Sequence, residues 1–500
     1  MAATAEGREA QLVVAGATPK LACGVVGEWK RVADDEHAFA DRPVVALDGA
    51  RDGGTGCART QLLRWHFSTT SDTPRGLLTL RARYQHGFVA YLDGVEVARR
   101  RVAGGVDSLA TDLHGPEWER IPLIGVALSR GEHVLAVEAH PRTAGREPSF
   151  DAALEASDAP RITHGPYLLD VGTTSARVAF ETDAPTTATV RYDKGRVAND
   201  VSGQRHVITL SGLRPSTSYD YRVQLGDDAE TARIPFHTEP LAGRPLRFVI
   251  YGDVRSGHDT HAELVRSILH EDPDLAIMTG DLVDMGSDEG DWDRYFEIAT
   301  PLLSSVPVYP APGNHEYARG GRGQARFRAL FDITGPSWRS FEVAGVHFIA
   351  LDSNQYRSAE QLAWLRHDLE SAKHSRAIVA YAHEGAYSSG LHGDNEIAKT
   401  QYAPLLEKAG ATLYVGGHDH HYERGRVGTL DYIVSGGGGA ELRSQRCGLP
   451  GKKSCPPRVK ALFNQHNYIV VDVLPKLFRV CAKRPDGTPL EACVTRALPR

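Results

Sequence analysis

Four polar motifs, each set directly behind an apolar run, constrain this chain more than anything else in it. They are Gly252-Asp253, Gly280-Asp281, Gly313-Asn314-His315-Glu316 and Gly417-His418-Asp419-His420. Any one of them alone reads as a turn, which is what a Gly-Asp pair commonly marks. Their fixed order over about 170 residues is hard to obtain by chance. Together they gather carboxylate, amide and imidazole groups, the hard oxygen and borderline nitrogen donors that divalent metals take.

The runs in front of the motifs are of strand length. Leu246–Tyr251, Leu275–Met278, Val306–Tyr309, Ala377–Tyr381 (ahead of His383) and Thr412–Val415 are rich in β-branched and aromatic residues. The stretches between them are long enough for helices. One of these, Thr260 to His270, has Thr260 and Glu263 in capping-box spacing and Leu264, Ile268 and Leu269 on one face. The pattern predicts a layered α/β sheet whose ligands project from strand ends, where open α/β folds place their sites.

The constellation resembles the calcineurin-like metallophosphoesterase superfamily and, within it, the purple acid phosphatases. Gly417-His418-Asp419-His420-His421-Tyr422-Glu423-Arg424 is similar to the last motif of that subgroup, as is Tyr387-Ser388-Ser389-Gly390 after His383, with His392 nine residues beyond His383. The resemblance covers roughly residues 160 to 480. It implies a four-layer α/β/β/α catalytic domain over residues 245–500 and two divalent or trivalent metal ions, iron, zinc or manganese. By this resemblance Asp281 bridges the ions, Asp253 and His420 serve the first, and Asn314, His383 and His418 the second. His315 and His392 then form the catalytic pair facing the phosphate, with Arg255 and Tyr387 as further substrate-binding candidates.

Two positions depart from the family pattern. Purple acid phosphatases carry a tyrosine three residues after the bridging aspartate, which ligates ferric iron and gives the colour; here that residue is Asp284. Other superfamily members place a histidine two residues after the first aspartate; here it is Arg255. The first metal has therefore lost both usual extra ligands. His261 is the expected substitute, with His258 and Asp284 as alternatives; the competing reading of His261 is a solvated residue at a helix start.

A pair of metals about 3.5–4 Å apart acidifies a shared water enough to attack phosphorus. His315 would help neutralise charge on the equatorial oxygens. An imidazole, with a pKa near 6.5 when unperturbed, can protonate the leaving alkoxide. The expected activity is hydrolysis of small-molecule phosphate monoesters by a metal-bound hydroxide. The alternatives are a phosphodiesterase on nucleotides or lipid head groups using the same site, and a non-catalytic binding protein working through its β modules. The filled ligand positions disfavour the last.

Ahead of the motifs the chain reads as β-structure, and 500 residues suggest about three domains. In residues 161–240, Ala176–Phe180 and Thr187–Tyr192 alternate inward and outward, and Leu213, Pro215, Thr217, Tyr219, Tyr221 and Val223 continue the period of two. This rhythm resembles a fibronectin type III module. Residues 20–158 hold the strand-like runs Leu77–Ala82, Phe88–Leu92 and His133–Glu138, and Asp93-Gly94 is a hairpin signal. They resemble the galactose-binding-like jelly rolls attached to secreted bacterial enzymes. Trp65, Tyr84 and Tyr91 could stack on a glycan there, or fill the core. Residues 1–19 read as a leader. The expected fold is multidomain, with two N-terminal β-sandwiches followed by the metallophosphoesterase domain.

A net charge of −6 without a basic stripe argues against a nucleic-acid partner. No run approaches 18 consecutive apolar residues, so no helical membrane span is expected. The six cysteines fall into the local pairs Cys23/Cys57, Cys447/Cys455 and Cys481/Cys493, none inside a metal motif. That favours disulfides and a secreted, extracellular or periplasmic location. Nothing in the sequence fixes the oligomeric state.

Overall fold

Strands buried on both faces organise the molecule. The computed structural model describes residues 60–498 apart from 71, 73–77, 112, 116, 124–125, 147, 157–159, 194, 228–229 and 449–452, together with the strands Ala10–Val13, Lys20–Cys23 and Ala40–Asp41. In Leu246–Tyr251, Phe248 and Ile250 face a second sheet while Val249 and Tyr251 face helices, and all four are fully buried. Near-continuous apolar runs of this kind mark strands covered on two sides. This strand lies inside a six-stranded sheet ordered 308–310, 275–278, 246–251, 468–474, 477–483, 494–497, its first three strands parallel. A seven-stranded sheet, ordered 339–343, 346–350, 377–381, 413–416, 430–435, 422–427, 459–463, packs against it.

Helices close both outer faces. Helix α1 (His258–His270) and helix α2 (Glu289–Leu303) bury Leu264, Ile268, Trp292 and Phe296 against Val249, Tyr251 and Met278. Helix α3 (Asn314–Gly321) and helix α4 (Gln324–Leu330) follow the third motif. Helix α5 (Ala359–Ser371) and helix α6 (Ala403–Lys408) press Leu365 and Leu406 onto Ile349, Ala380 and Tyr414 of the second sheet. The layers run helices, sheet, sheet, helices. Helix α1 begins two residues before the expected Thr260, behind Gly257, and has no side-chain cap. Thr260 already lies inside the first turn, so the predicted capping box does not form.

The N-terminal part is a sandwich of a four-stranded sheet (10–13, 150–156, 78–84, 119–122) and a six-stranded one (40–41, 20–23, 61–69, 131–140, 87–92, 95–100). Ala10–Val13, expected in a leader, pairs with Phe150–Ala156 and belongs to this sandwich; the rest of residues 1–19 lies outside the described residues. Trp65, Tyr84 and Tyr91 are at most 8% exposed, so they fill the core and offer no stacking surface to a sugar. Asp93 and Gly94, with φ of 52° and 85°, make the expected hairpin turn. A five-stranded sheet follows within residues 162–237. There the two strands expected at 176–180 and 187–192 are one strand, Ser175–Tyr192, with a register shift between Glu181 and Thr186.

Disulfides join Cys447 to Cys455 and Cys481 to Cys493. Cys57 falls outside the described residues, and so does its pairing with Cys23. No described helix is long and apolar enough to cross a membrane.

Phe248 meets Phe348 edge-on at 5.1 Å between the two catalytic sheets. Phe248→Ala should cost about 3–5 kcal/mol. Denaturant unfolding followed by fluorescence should show an earlier catalytic-domain transition, with the N-terminal sandwich unmoved.

Candidate metal centre

Every motif emerges at the carboxyl end of its strand. Asp253, Asp281 and His418 then take φ of 57°, 53° and 67°, left-handed values that are uncommon away from glycine and that gather at functional sites. The turn brings each side chain back over the sheet edge. Two glycines make the approach possible. A Cβ on Gly313 would lie 2.1 Å from Asp281 Oδ1, and one on Gly417 would lie 2.3 Å from Asp253 Oδ2.

Hydrogen bonds decide which imidazole nitrogen faces inward. His383 Nδ1 donates to Thr279 O at 2.9 Å, and His420 Nδ1 donates to Glu441 O at 2.6 Å. A carbonyl can only accept, so Nε2 carries the lone pair in each neutral ring. His383 Nε2 lies 3.0 Å from Asn314 Oδ1, 3.0 Å from His418 Nδ1 and 3.3 Å from Asp281 Oδ1. Donor atoms take about that spacing around an ion with bonds of about 2.0–2.2 Å. Asp281, Asn314, His383 and His418 therefore fit one metal, the second of the pair.

On the other side of Asp281, His420 Nε2 lies 3.5 Å from Asp253 Oδ1. Asp253, Asp281 and His420 are the residues that would hold the first metal. Where two further ligands were missing from the sequence, the structure places an ion pair. Arg255 Nη1 bonds Asp284 Oδ1 at 2.7 Å, and Arg255 Nε lies 3.4 Å from Asp281 Oδ2.

The electrostatics ask for a cation. Burial, then the charge on Asp281, raises the Asp253 carboxyl well above its ordinary range. Burial also works against charge on Asp281, but His383, His315 and Arg255 outweigh it and hold its pKa low. Burial pushes His418 down to about 2 and His420 to about 4, so both remain neutral donors.

The expected catalytic residues flank this shell. His315 donates from Nδ1 to Asp284 O at 2.6 Å, and its Nε2 stands 3.8 Å from Asp281 Oδ2. His392 stacks on His418 at 4.0 Å, with Nδ1 3.2 Å from Asp419 Oδ1 and Nε2 accepting from Arg443 at 3.1 Å. Tyr387, His392 and His418 line a cavity of about 320 Å³ with Arg357, Glu384 and Asn395.

His261 lies on helix α1 and lines a cavity of about 200 Å³ with Val254, Arg255 and Asp284. It is buried under helix α1, stacked on Tyr295, and its Nε2 meets no partner among the described residues. The structure thus corrects the reading of it as a solvated helix start, and leaves its unpartnered Nε2 in the cavity that Arg255 and Asp284 also line. His258 pairs instead with Glu117 of the N-terminal sandwich at 3.1 Å. Two residues without a role in the sequence reading prove central. Glu316, fully buried, accepts from the amides of Gly313, Asp281 and Leu282 at 2.6, 2.9 and 2.7 Å, pinning two motifs together. Asp419 accepts from Ser388 Oγ and the amides of His392 and Gly393. Glu316 stands three residues after the glycine that caps helix α3, and that spacing was the signal for it.

Comparison with known proteins agrees with this centre. Residues 246–422 match the calcineurin-like phosphoesterase family, and residues 159–239 match a domain of unknown function (DUF7800). The chain is 29% identical over 319 residues to purple acid phosphatase 15 of Arabidopsis thaliana, covering 53% of this chain and 59% of that protein. It is 30% identical over 242 residues to the probable purple acid phosphatase 20 of the same plant, covering 45% and 56%. The chain thus spans less than two thirds of the length of these relatives.

A purple acid phosphatase from yellow lupin (Lupinus luteus) seeds shares the fold with a TM-score of 0.62 at 16% identity, over 88% of this chain and 93% of that one. PhoD does so with a TM-score of 0.53 at 11% identity, over 67% and 88%. The chain carries a calcineurin-like metallophosphoesterase domain and is homologous to the purple acid phosphatases.

Burial lowers His261 to about 3 in the folded chain, against about 6.5 unfolded. The unfolded state therefore binds the proton first, and stability falls as pH drops from about 6.5 towards 3. His261→Phe, which keeps the stack on Tyr295, should flatten that fall in thermal melts while metal content stays at the wild-type value. Loss of one metal would instead make His261 a ligand.

Proposed function

We propose that this chain is a metal-dependent phosphoric ester hydrolase that cleaves phosphate monoesters. The observation that carries the reading is the convergence of Asp281, Asn314, His383 and His418 donor atoms, with His315 beside them. When bound, a metal pair held by these residues with Asp253 and His420 would polarise the phosphoryl oxygens and acidify a water.

The protein's own groups do the rest. The bond from His315 Nδ1 to Asp284 O fixes the ring, so that Nε2 faces the site, where a protonated ring can hand its proton to the leaving oxygen. His392 has both nitrogens engaged, so it orients His418 and Arg443 more than it serves as the acid. Arg255 keeps guanidinium N–H groups for a phosphate oxygen beside Asp281. The polar cavity that holds Tyr387 and Asn395 receives the alcohol.

Two disulfides support a secreted location. The bond from Arg214 N to Tyr219 OH, 2.9 Å, resembles the tyrosine corner of immunoglobulin-like sandwiches and supports a fibronectin-like reading of residues 161–240. With Asp284 in place of a tyrosine, zinc, manganese or ferrous iron suits the site better than a coloured ferric centre.

The test is turnover of p-nitrophenyl phosphate beside bis-p-nitrophenyl phosphate, with metals quantified in the same sample. Faster monoester cleavage is expected; no turnover of either ester by fully loaded protein would sink the reading, and a diester preference would redirect it. His315→Ala should lower kcat and kcat/KM together by about 10²–10⁴ on alkyl phosphates, with both metals retained. The isolated protein should show no visible charge-transfer band.

A further inference from the structure

The N-cap of helix α2, Asp288, lies seven residues after the bridging aspartate. We propose that the N-terminal sandwich is a working part of the metal centre, with Arg101 and His114 positioning the loop from Asp281 to Asp288 by gripping Asp288. The proposal rests on the phosphoesterase reading above and adds to it a role for a domain outside the catalytic fold.

The loop is stiff along its length. Leu282 N donates to Glu316, Asp284 O accepts from His315 Nδ1, and Gly286 N donates to His315 O at 2.9 Å. Met285 N donates to Asp291 Oδ2 at 2.8 Å, and Trp292 Nε1 donates to Gly286 O at 2.9 Å. A shift of Asp288 is therefore passed to Asp284, His315 and Asp281.

Asp288 is fully buried and held from the sandwich side. Its Oδ1 accepts from Gly290 N at 3.0 Å and pairs with His114 Nε2 at 2.8 Å; its Oδ2 accepts from Arg101 Nη2 at 2.5 Å. Both partners are fixed by the sandwich core. The His114 ring stacks on Tyr84 at 4.0 Å, and its Nδ1 donates to Gly115 O at 2.6 Å. Arg101 Nη1 bonds Tyr84 OH at 2.5 Å, and Tyr84 OH donates to Glu119 Oε2. Tyr84 in turn packs on Phe88 at 4.7 Å. The fit is close: a Cβ on Gly290 would come 3.2 Å from His114 Nε2, and one on Gly115 would come 3.1 Å from Asp291 Oδ1.

Removing either partner leaves the buried Asp288 carboxylate with one cation fewer, a cost the loop can relieve by moving. Displacements of this size at a catalytic loop are worth up to about 100-fold in rate.

The test uses the full chain with both metals loaded. Arg101→Gln and His114→Gln should each lower kcat on p-nitrophenyl phosphate about 10- to 100-fold with KM little changed, and Arg101→Lys should recover part of the loss. The control is His164→Gln, which breaks a partly buried interdomain pair to helix α2 at Asp293, 2.8 Å, away from the metal loop. It should lower the melting temperature and leave kcat near wild type.

Calorimetric zinc titration of the metal-free chain supplies a second readout, in which Arg101→Gln should bind more weakly. That readout holds even if the wild type cleaves no ester, the result that would defeat the functional reading alone. Wild-type kcat and zinc affinity in both loop variants, equal losses in His164→Gln, or failure of both loop variants to fold would each overturn the proposal.

Discussion

Two buried carboxylates on neighbouring strand ends, Asp253 and Asp281, set the terms for the rest of the catalytic domain. Neither is more than 1% exposed, and each raises the cost of charge on the other. A fold tolerates such a pair only if cations or hydrogen-bond donors surround it. The strands supply imidazoles from the opposite sheet, left-handed turns aim the side chains, and glycines clear the space. Glu316 then ties three amides of the loop to helix α3, which keeps the Asp281 turn from relaxing away from its charge.

The sheets were legible because burial on both faces leaves an apolar run that no surface strand would carry; Leu246–Tyr251 and Ala377–Tyr381 are cases in point. The candidate ligands stood out because metal chemistry admits few residue types, and Asp253, Asp281, Asn314 and His418 each follow a glycine. Edges and entry points were not. Ala10–Val13 is four residues long and gains its place only from Phe150–Ala156, far away in sequence. The start of helix α1 was misread because a capping-box pattern at Thr260 competes with Gly257, directly ahead of the first helical residue.

His261 shows how the helix period decides what a residue near a motif faces. On helix α1 it faces inward with Leu264, Val265 and Ile268, so the helix period sets its direction, eight residues after Asp253. Its ring pays for burial with a low pKa, and Tyr295 supplies the stack. Arg255 and Asp284, which line the same cavity as His261, occupy the positions whose usual family ligands are absent.

That replacement alters the charge of the centre. A ligating tyrosine, as the purple acid phosphatase pattern implies, adds an anionic oxygen to the first metal. Here Asp284 is 55% exposed and bonded to Arg255, so the two side chains cancel and contribute no net negative charge. The remaining donors on that side are Asp253, the shared Asp281 and neutral His420, with a guanidinium 3.4 Å from the bridging carboxylate. Fewer anionic donors on that side favour a divalent over a trivalent ion, since less negative charge is there to compensate the metal. The same guanidinium favours an anion approaching from the solvent side. The Arg255–Asp284 pair thus stands where the family's tyrosine would stand, apart from the four donor residues Asp281, Asn314, His383 and His418, whose spacing it leaves intact.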